Sequence, residues 1–176
     1  MKPSGVPRPR SQFRFGIVVS LFNRSVTNRL LASCLDRLGR QGVKRSAIEV
    51  VRVPGAFEIP LVARTMAVTG RFDAIICLGA VIRGETPHFD YICAETSRGI
   101  GQVALETGVP VIFGVLTTET VSQAVERADP SQFDRGGAAA KAAVQMAKVM
   151  RRFGKMTSCE DGRALSRRWD RPPSGH

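Results

Sequence analysis

Four short apolar runs, each closed by a turn and followed by a segment of helical periodicity, leave this chain few architectures. The runs are Phe15-Gly-Ile-Val-Val-Ser20, Ile48-Glu-Val-Val-Arg-Val53, Ala74-Ile-Ile-Cys-Leu78 and Pro110-Val-Ile-Phe-Gly-Val115. Near-continuous apolar runs of this length suit parallel strands buried on both faces. After the first run, Val26, Leu30, Leu31, Cys34, Leu35 and Leu38 recur at helical spacing, with Asn23 and Ser25 as N-cap residues and Gly42 as a stop. A second helix is predicted over Ile59 to Thr69, with Pro60 in its first turn, where a missing N–H does no harm. Others are predicted from about Tyr91 to Thr107, from Thr118 to Ala128 and, rich in alanine, from Gly137 to Phe153. The alternation predicts an α/β fold, a parallel sheet covered by helices on both faces.

A sheet of this kind binds ligands beyond the carboxyl ends of its strands, at a topological switch point. Four segments fall at that end: Leu21-Phe-Asn23, Pro54-Gly-Ala-Phe-Glu58, Gly79 to His88, and Phe113-Gly-Val-Leu116. The third is the richest in chemistry. It combines a glycine-punctuated loop with free backbone N–H groups, the Thr86 hydroxyl and His88, one of two histidines in the chain. Backbone donors, a hydroxyl and an imidazole suit an anionic substrate that needs proton transfer near neutral pH. The other histidine, His176, is the last residue.

The chain's 176 residues suit one domain with a sizeable core, expected over 15–154. The net charge of +11 suggests nucleic acid until it is located. Residues 1–14 carry four basic and no acidic residues, and 151–176 carry seven basic and three acidic; the 15–150 segment holds fifteen against twelve. The surplus therefore belongs mostly to two ends, expected to be a solvated N-terminal tail (1–14) and a disordered C-terminal tail (155–176). Neither has the aromatic interleaving of a base-stacking surface, so nucleic acid is not an expected partner. No apolar run approaches a membrane span or a signal-peptide core, and a cytoplasmic protein is expected. The four cysteines form no CxxC pair, so no metal site is expected, and Cys34 and Cys77 read as buried thiols.

Other residues carry two readings. Phe22 follows a strand; its ring either stacks on a flat heterocycle or serves as a core or hydrophobic-staple residue. Glu58 either accepts hydrogen bonds from substrate hydroxyls or favours the positive end of the second helix. Arg127, near a helix end, reads by itself as dipole-complementary rather than as a phosphate ligand. Thr117-Thr118 reads as a helix cap. Gly136-Gly137 lacks the Lys-Ser/Thr of a phosphate-binding loop.

With these residues laid out, the chain closely resembles the 6,7-dimethyl-8-ribityllumazine synthase family over about Gly16 to Met150. The landmarks are Phe22-Asn23, Val53-Pro-Gly-Ala-Phe-Glu-Ile-Pro60, Gly79 to Tyr91, Glu106 to Thr118 and Ala124 to Ala128. The resemblance implies a flavodoxin-like fold with a four-stranded parallel sheet. It implies condensation of 5-amino-6-(D-ribitylamino)uracil with 3,4-dihydroxy-2-butanone 4-phosphate, with no cofactor or metal. On the same footing Phe22 stacks on the pyrimidine, and Asn23 belongs to the binding site. Ala56, Phe57 and Glu58 contact the ribityl-bearing substrate, and Ala80, Val81 and Ile82 line the pocket through backbone groups. Glu85 and Thr86 hold the phosphate, and His88 shuttles protons. Sites lie between subunits of a homopentamer, the neighbour contributing Phe113 and Arg127, which revises the solitary reading of Arg127.

The chain departs from the family pattern at Asp129-Pro-Ser-Gln-Phe-Asp-Arg-Gly136, where many relatives carry a lysine- and glycine-rich segment. Arg135 stands where a basic residue is expected, but a glycine-rich kink is lost. Larger assembly and association with riboflavin synthase are left open. The alternative to catalysis is a binding module of the same fold that holds a flavin or ribityl compound without turnover. The presence of Thr86, His88 and Arg127 favours the enzyme.

Overall fold

The computed structural model describes residues 12–160, and side chains from 12 to 153. The elements are β1 (Phe15–Ser20), α1 (Arg24–Arg40), β2 (Ile48–Val53), α2 (Ile59–Val68), β3 (Ala74–Ile82), α3 (His88–Thr107), β4 (Val111–Thr118), α4 (Val121–Ala128) and α5 (Arg135–Glu160). A single 3-10 turn, Arg45–Ala47, leads into β2. Helix α5 passes the expected start of the C-terminal tail at 155; the rest of both expected tails lies outside the described residues, apart from 12–14.

The sheet is parallel throughout, with strand order β2-β1-β3-β4. Alternate residues of β1 and β3 serve opposite faces, as the two-residue period of a strand requires. Phe15, Ile17, Val19, Ile76 and Leu78 pack with Val26, Leu30, Cys34 and Leu38 of α1 and with Ala140, Ala143 and Ala147 of α5. Val18, Ile75 and Cys77 pack with Ile59, Ala63 and Met66 of α2 and with Ile100 and Val103 of α3. The result is a three-layer, flavodoxin-like sandwich. Each fully buried aliphatic side chain here contributes on the order of 1.5–3 kcal/mol.

Cys34 and Cys77 are buried free thiols, as expected from their apolar settings. Burial, aided by the Asp134 charge, pushes the Cys34 thiol up to about 12, and burial alone raises Cys77.

Two strands are longer than their apolar runs predict. Ala80 pairs with Leu116, Val81 with Thr117 and Ile82 with Thr118. Parallel hydrogen bonding thus carries β3 through Gly79 into the apolar Ala80-Val-Ile82, and β4 past its apolar residues into Thr117 and Thr118. This corrects the reading of Thr117-Thr118 as a helix cap: both lie in β4, and Thr118 is buried. The cap of α4 is Thr120, whose Oγ1 accepts a hydrogen bond from the Gln123 N–H at 3.2 Å. Likewise α3 begins at His88 rather than near Tyr91.

The segment that departs from the family pattern is well tied. Asp129 Oδ1 accepts from the Ser131 N–H at 2.8 Å, and the Asp134 N–H donates to the Asp129 carbonyl at 3.0 Å. A kink survives without glycine, because Asp134 takes the left-handed conformation at φ 44°. Its carboxylate accepts from Ser33 Oγ, from the Gly137 N–H at 3.0 Å and from Arg37 at 3.2 Å, fastening the start of α5 to α1.

Candidate active site

Because β2 and β3 flank β1 on opposite sides, the switch point lies at the carboxyl end of β1. There the β1–α1 turn is pinned by two backbone bonds, Leu21 N–H to Val53 O at 2.7 Å and Phe22 N–H to Pro54 O at 3.0 Å. With its backbone held, Phe22 projects its ring outward, 69% exposed, which excludes the core reading. Asn23 follows in the left-handed conformation (φ 56°) and makes no side-chain cap to α1. Its Nδ2 instead donates to the Ala80 carbonyl at 2.9 Å, tying this turn to the end of β3.

The β2–α2 turn is shaped by Glu58, whose Oε2 accepts the Gly55 N–H at 2.8 Å. That bond folds Pro54–Phe57 into a compact turn with Ala56 buried and Phe57 exposed. Glu58 therefore has a structural task at the start of α2 and also borders the open space beyond it.

From β3 the chain enters an exposed loop, 83–87, and then α3, with exposed His88 as its first residue. Among the described residues, no hydrogen bond engages the backbone N–H groups of Gly84, Glu85 or Thr86. Free N–H groups just ahead of a 20-residue helix, whose N-terminal end carries partial positive charge, suit an anion.

These segments enclose an open cleft of about 710 Å³. Of the residues selected from sequence, Phe22, Ala56, Phe57, Glu58, Ala80, Val81, Ile82, Thr86 and His88 line it. Asn23 and Glu85 do not: Asn23 is turned to Ala80, and Glu85 sits in the exposed loop. Gly55, Gly84, Phe89, Tyr91 and Ile92 also line the cleft and were not selected, although all flank segments that were. Phe113 and Arg127 lie elsewhere, in a second depression of about 390 Å³ that Arg135 joins. Arg127 Nη1 donates to the Gln123 carbonyl at 3.1 Å, and its guanidinium lies 5.4 Å from the Phe133 ring centre.

Sequence reasoning passed over Arg83. Its Nη1 and Nη2 engage both oxygens of Asp90, at 3.2 and 2.9 Å, while Nε meets Glu119 at 2.7 Å. The guanidinium carbon stands 4.1 Å from the centre of the Phe89 ring. The arginine's hydrogen bonds and charge hold the Asp90 carboxyl below its usual range. No spacing rule announces this cluster, because Glu119 comes from a different strand end.

The cleft thus offers exposed rings for a planar substrate, N–H groups and a hydroxyl for an anion, and one imidazole for proton transfer. Among the described residues, no three His, Cys, Asp or Glu side chains gather where they could hold a metal ion. Fold and cleft together define a flavodoxin-like α/β protein with a candidate site at the strand ends of its sheet. The sequence profile described as 6,7-dimethyl-8-ribityllumazine synthase matches residues 12–151. The chain is also 54% identical over 140 residues to a 6,7-dimethyl-8-ribityllumazine synthase of Desulfatibacillum aliphaticivorans, covering 80% of this chain and 90% of that protein. The chain belongs to the 6,7-dimethyl-8-ribityllumazine synthase family, transferases of riboflavin biosynthesis.

Proposed function

We propose that this chain condenses 5-amino-6-(D-ribitylamino)uracil with 3,4-dihydroxy-2-butanone 4-phosphate to give 6,7-dimethyl-8-ribityllumazine, phosphate and water. The observation that carries this reading is the convergence of Phe22, Glu58, Thr86 and His88 on one strand-end cleft. The Phe22 ring stacks on the pyrimidine; Ala56, Phe57 and Glu58 receive the ribityl chain; Ala80, Val81 and Ile82 border the ring. The phosphate takes the free N–H groups of Glu85 and Thr86 and the Thr86 hydroxyl. Asn23 contributes by holding the Phe22 turn against Ala80.

The primary amine attacks the ketone and water leaves to form an imine; phosphate then departs by elimination, and ring closure releases a second water. Every step moves protons. An imidazole can both donate and accept a proton, which gives His88 its role. Holding two substrates in one geometry supplies much of the remaining acceleration.

Phe113 and Arg127 complete the site from a neighbouring subunit. Their place in a separate depression supports this, since within one chain they border a different surface. The exposed Phe113, Val121, Phe133 and Met150 supply apolar surface for such an assembly, which we assign as a homopentamer. Among the described residues no helix is long and apolar enough to cross a membrane. A cytoplasmic location is part of the same proposal, and association with riboflavin synthase is to be sought by co-purification.

A turnover assay following fluorescent lumazine tests the function. Formation well above the uncatalysed background, lost in His88→Ala, supports it. Absence of acceleration by the folded assembly overturns it and leaves the binding module of the same fold.

A further inference from the structure

We propose that Arg83 is a positioning residue, which clamps Asp90 across the loop 84–87 so that the His88 turn of α3 is held in its working geometry. The clamp sits where the loop needs one. Arg83 and Asp90 bracket the six residues that include Gly84, Glu85, Thr86 and His88. Among the described residues, neither the N–H groups of Gly84, Glu85 and Thr86 nor the side chains of Glu85, Thr86 and His88 make a hydrogen bond within the chain. The loop is therefore ordered from its ends. On one side, the Arg83 N–H donates to the Thr118 carbonyl at 2.9 Å, fixing the arginine's backbone to the sheet. On the other, Asp90 is the third residue of α3, and its N–H donates to the Pro87 carbonyl at 3.0 Å. Closing the guanidinium on Asp90 joins these two anchors across the loop.

Exposed ion pairs ordinarily contribute little, because two long side chains must be immobilised together. Here the arginine is constrained from several directions. Asp90 takes both ends of its fork, Glu119 takes Nε, and Phe89, only 8% exposed, lies beneath it. A planar fork of this kind fixes orientation as well as distance, which a lysine does not. The two carboxylates also offset the guanidinium charge, so its role is geometric rather than that of a further anion ligand. Misplacing a reacting group by about 1 Å costs on the order of a hundredfold in rate, so a loose loop is expensive for catalysis.

The inference rests on the proposed role of His88, and a double-mutant cycle separates the two. Arg83→Gln should lower kcat by about tenfold or more in the parent enzyme, but less than about twofold in a His88→Ala background. Asp90→Asn, which keeps the shape of the side chain, should reproduce the loss, and Arg83→Lys should fail to restore the parental kcat. Circular dichroism and assembly size are compared across all variants. If His88→Ala alone leaves turnover intact, the role of His88 falls and this inference falls with it. If His88→Ala abolishes turnover while Arg83→Gln and Asp90→Asn stay within about twofold of parent, the positioning role alone is overturned. Equal losses from Arg83→Gln in both backgrounds would overturn it as well, since the arginine would then act without His88.

Discussion

Asn23 and Ala80 lie 57 positions apart and are joined by a 2.9 Å hydrogen bond from the asparagine Nδ2 to the alanine carbonyl. The bond ties the Phe22 turn to the last residues of β3, so two walls of the cleft share one fastening. It is available because Asn23 adopts φ 56°, which turns its amide away from its own helix.

That geometry orders a set of variants. Asn23→Gly relieves the left-handed backbone but loses the bond, and should destabilise by about 1 kcal/mol. Asn23→Ala also meets the left-handed penalty of roughly 1–2 kcal/mol, and should fall about 2–3 kcal/mol below parent. Chemical denaturation at a fixed protein concentration checks the order; Ala as stable as Gly would contradict it.

The close approach of α1 and α5 is set by Gly136. A Cβ there would run into the Leu30 carbonyl oxygen, a backbone atom that cannot swing aside. Gly136→Ala should therefore cost about 3 kcal/mol or more, seen as a lowered melting temperature or lost soluble yield. Gly39→Ala, at an exposed position of α1, has nothing within 4 Å and should be neutral or stabilising by up to about 1 kcal/mol. Similar effects at the two positions would refute the steric argument.

Asp134 gives the junction a pH dependence. Removal from water would raise its carboxyl, but bonds from Ser33, the Gly137 N–H and Arg37 outweigh this and hold it below the usual range. A depressed carboxylate stabilises the fold above its unfolded pKa of about 3.9, and that contribution is lost as pH falls through the folded value. Asp134→Asn tolerates the positive φ and isolates the charge. Its stability deficit should be full at pH 7 and should shrink on acidification below about pH 4. A deficit independent of pH would show that the charge contributes nothing.

If one site draws on two subunits, two inactive variants should complement each other. His88→Ala and Arg127→Ala are each expected to be impaired, the first by about a hundredfold or more in turnover. The second should act mainly through KM for the phosphorylated substrate. Co-refolded in equal amounts, random assembly leaves about one quarter of the sites with both native residues. Recovery near that fraction supports shared sites; activity no better than the separate variants would place His88 and Arg127 in unconnected functions.

Much of this molecule is legible in the order of its residues. The four apolar runs and the helical stripes between them dictate a parallel α/β sheet, because each pattern buries its apolar face in essentially one way. The strand-end segments bearing Phe22, Glu58, Thr86 and His88 follow from that topology, since parallel connections bring all such ends to one edge. The ends of elements were less readable. Pairing with Val81 and Ile82, which lie past the Gly79 that closes the third apolar run, drew the polar Thr117 and Thr118 into β4, and Thr120 rather than Thr118 became the cap.

Local sequence therefore determined the layers, the registerable core and the identity of the imidazole. Tertiary structure alone decided that Asn23 serves Ala80 instead of its helix, that Asp134 supplies a kink without glycine, and that Arg83 meets Asp90 and Glu119. The physical reason is the range of the interactions. Hydrophobic periodicity is a property of neighbouring residues, whereas a hydrogen bond or an ion pair depends on angstrom-scale distances between elements that only the packed chain brings together.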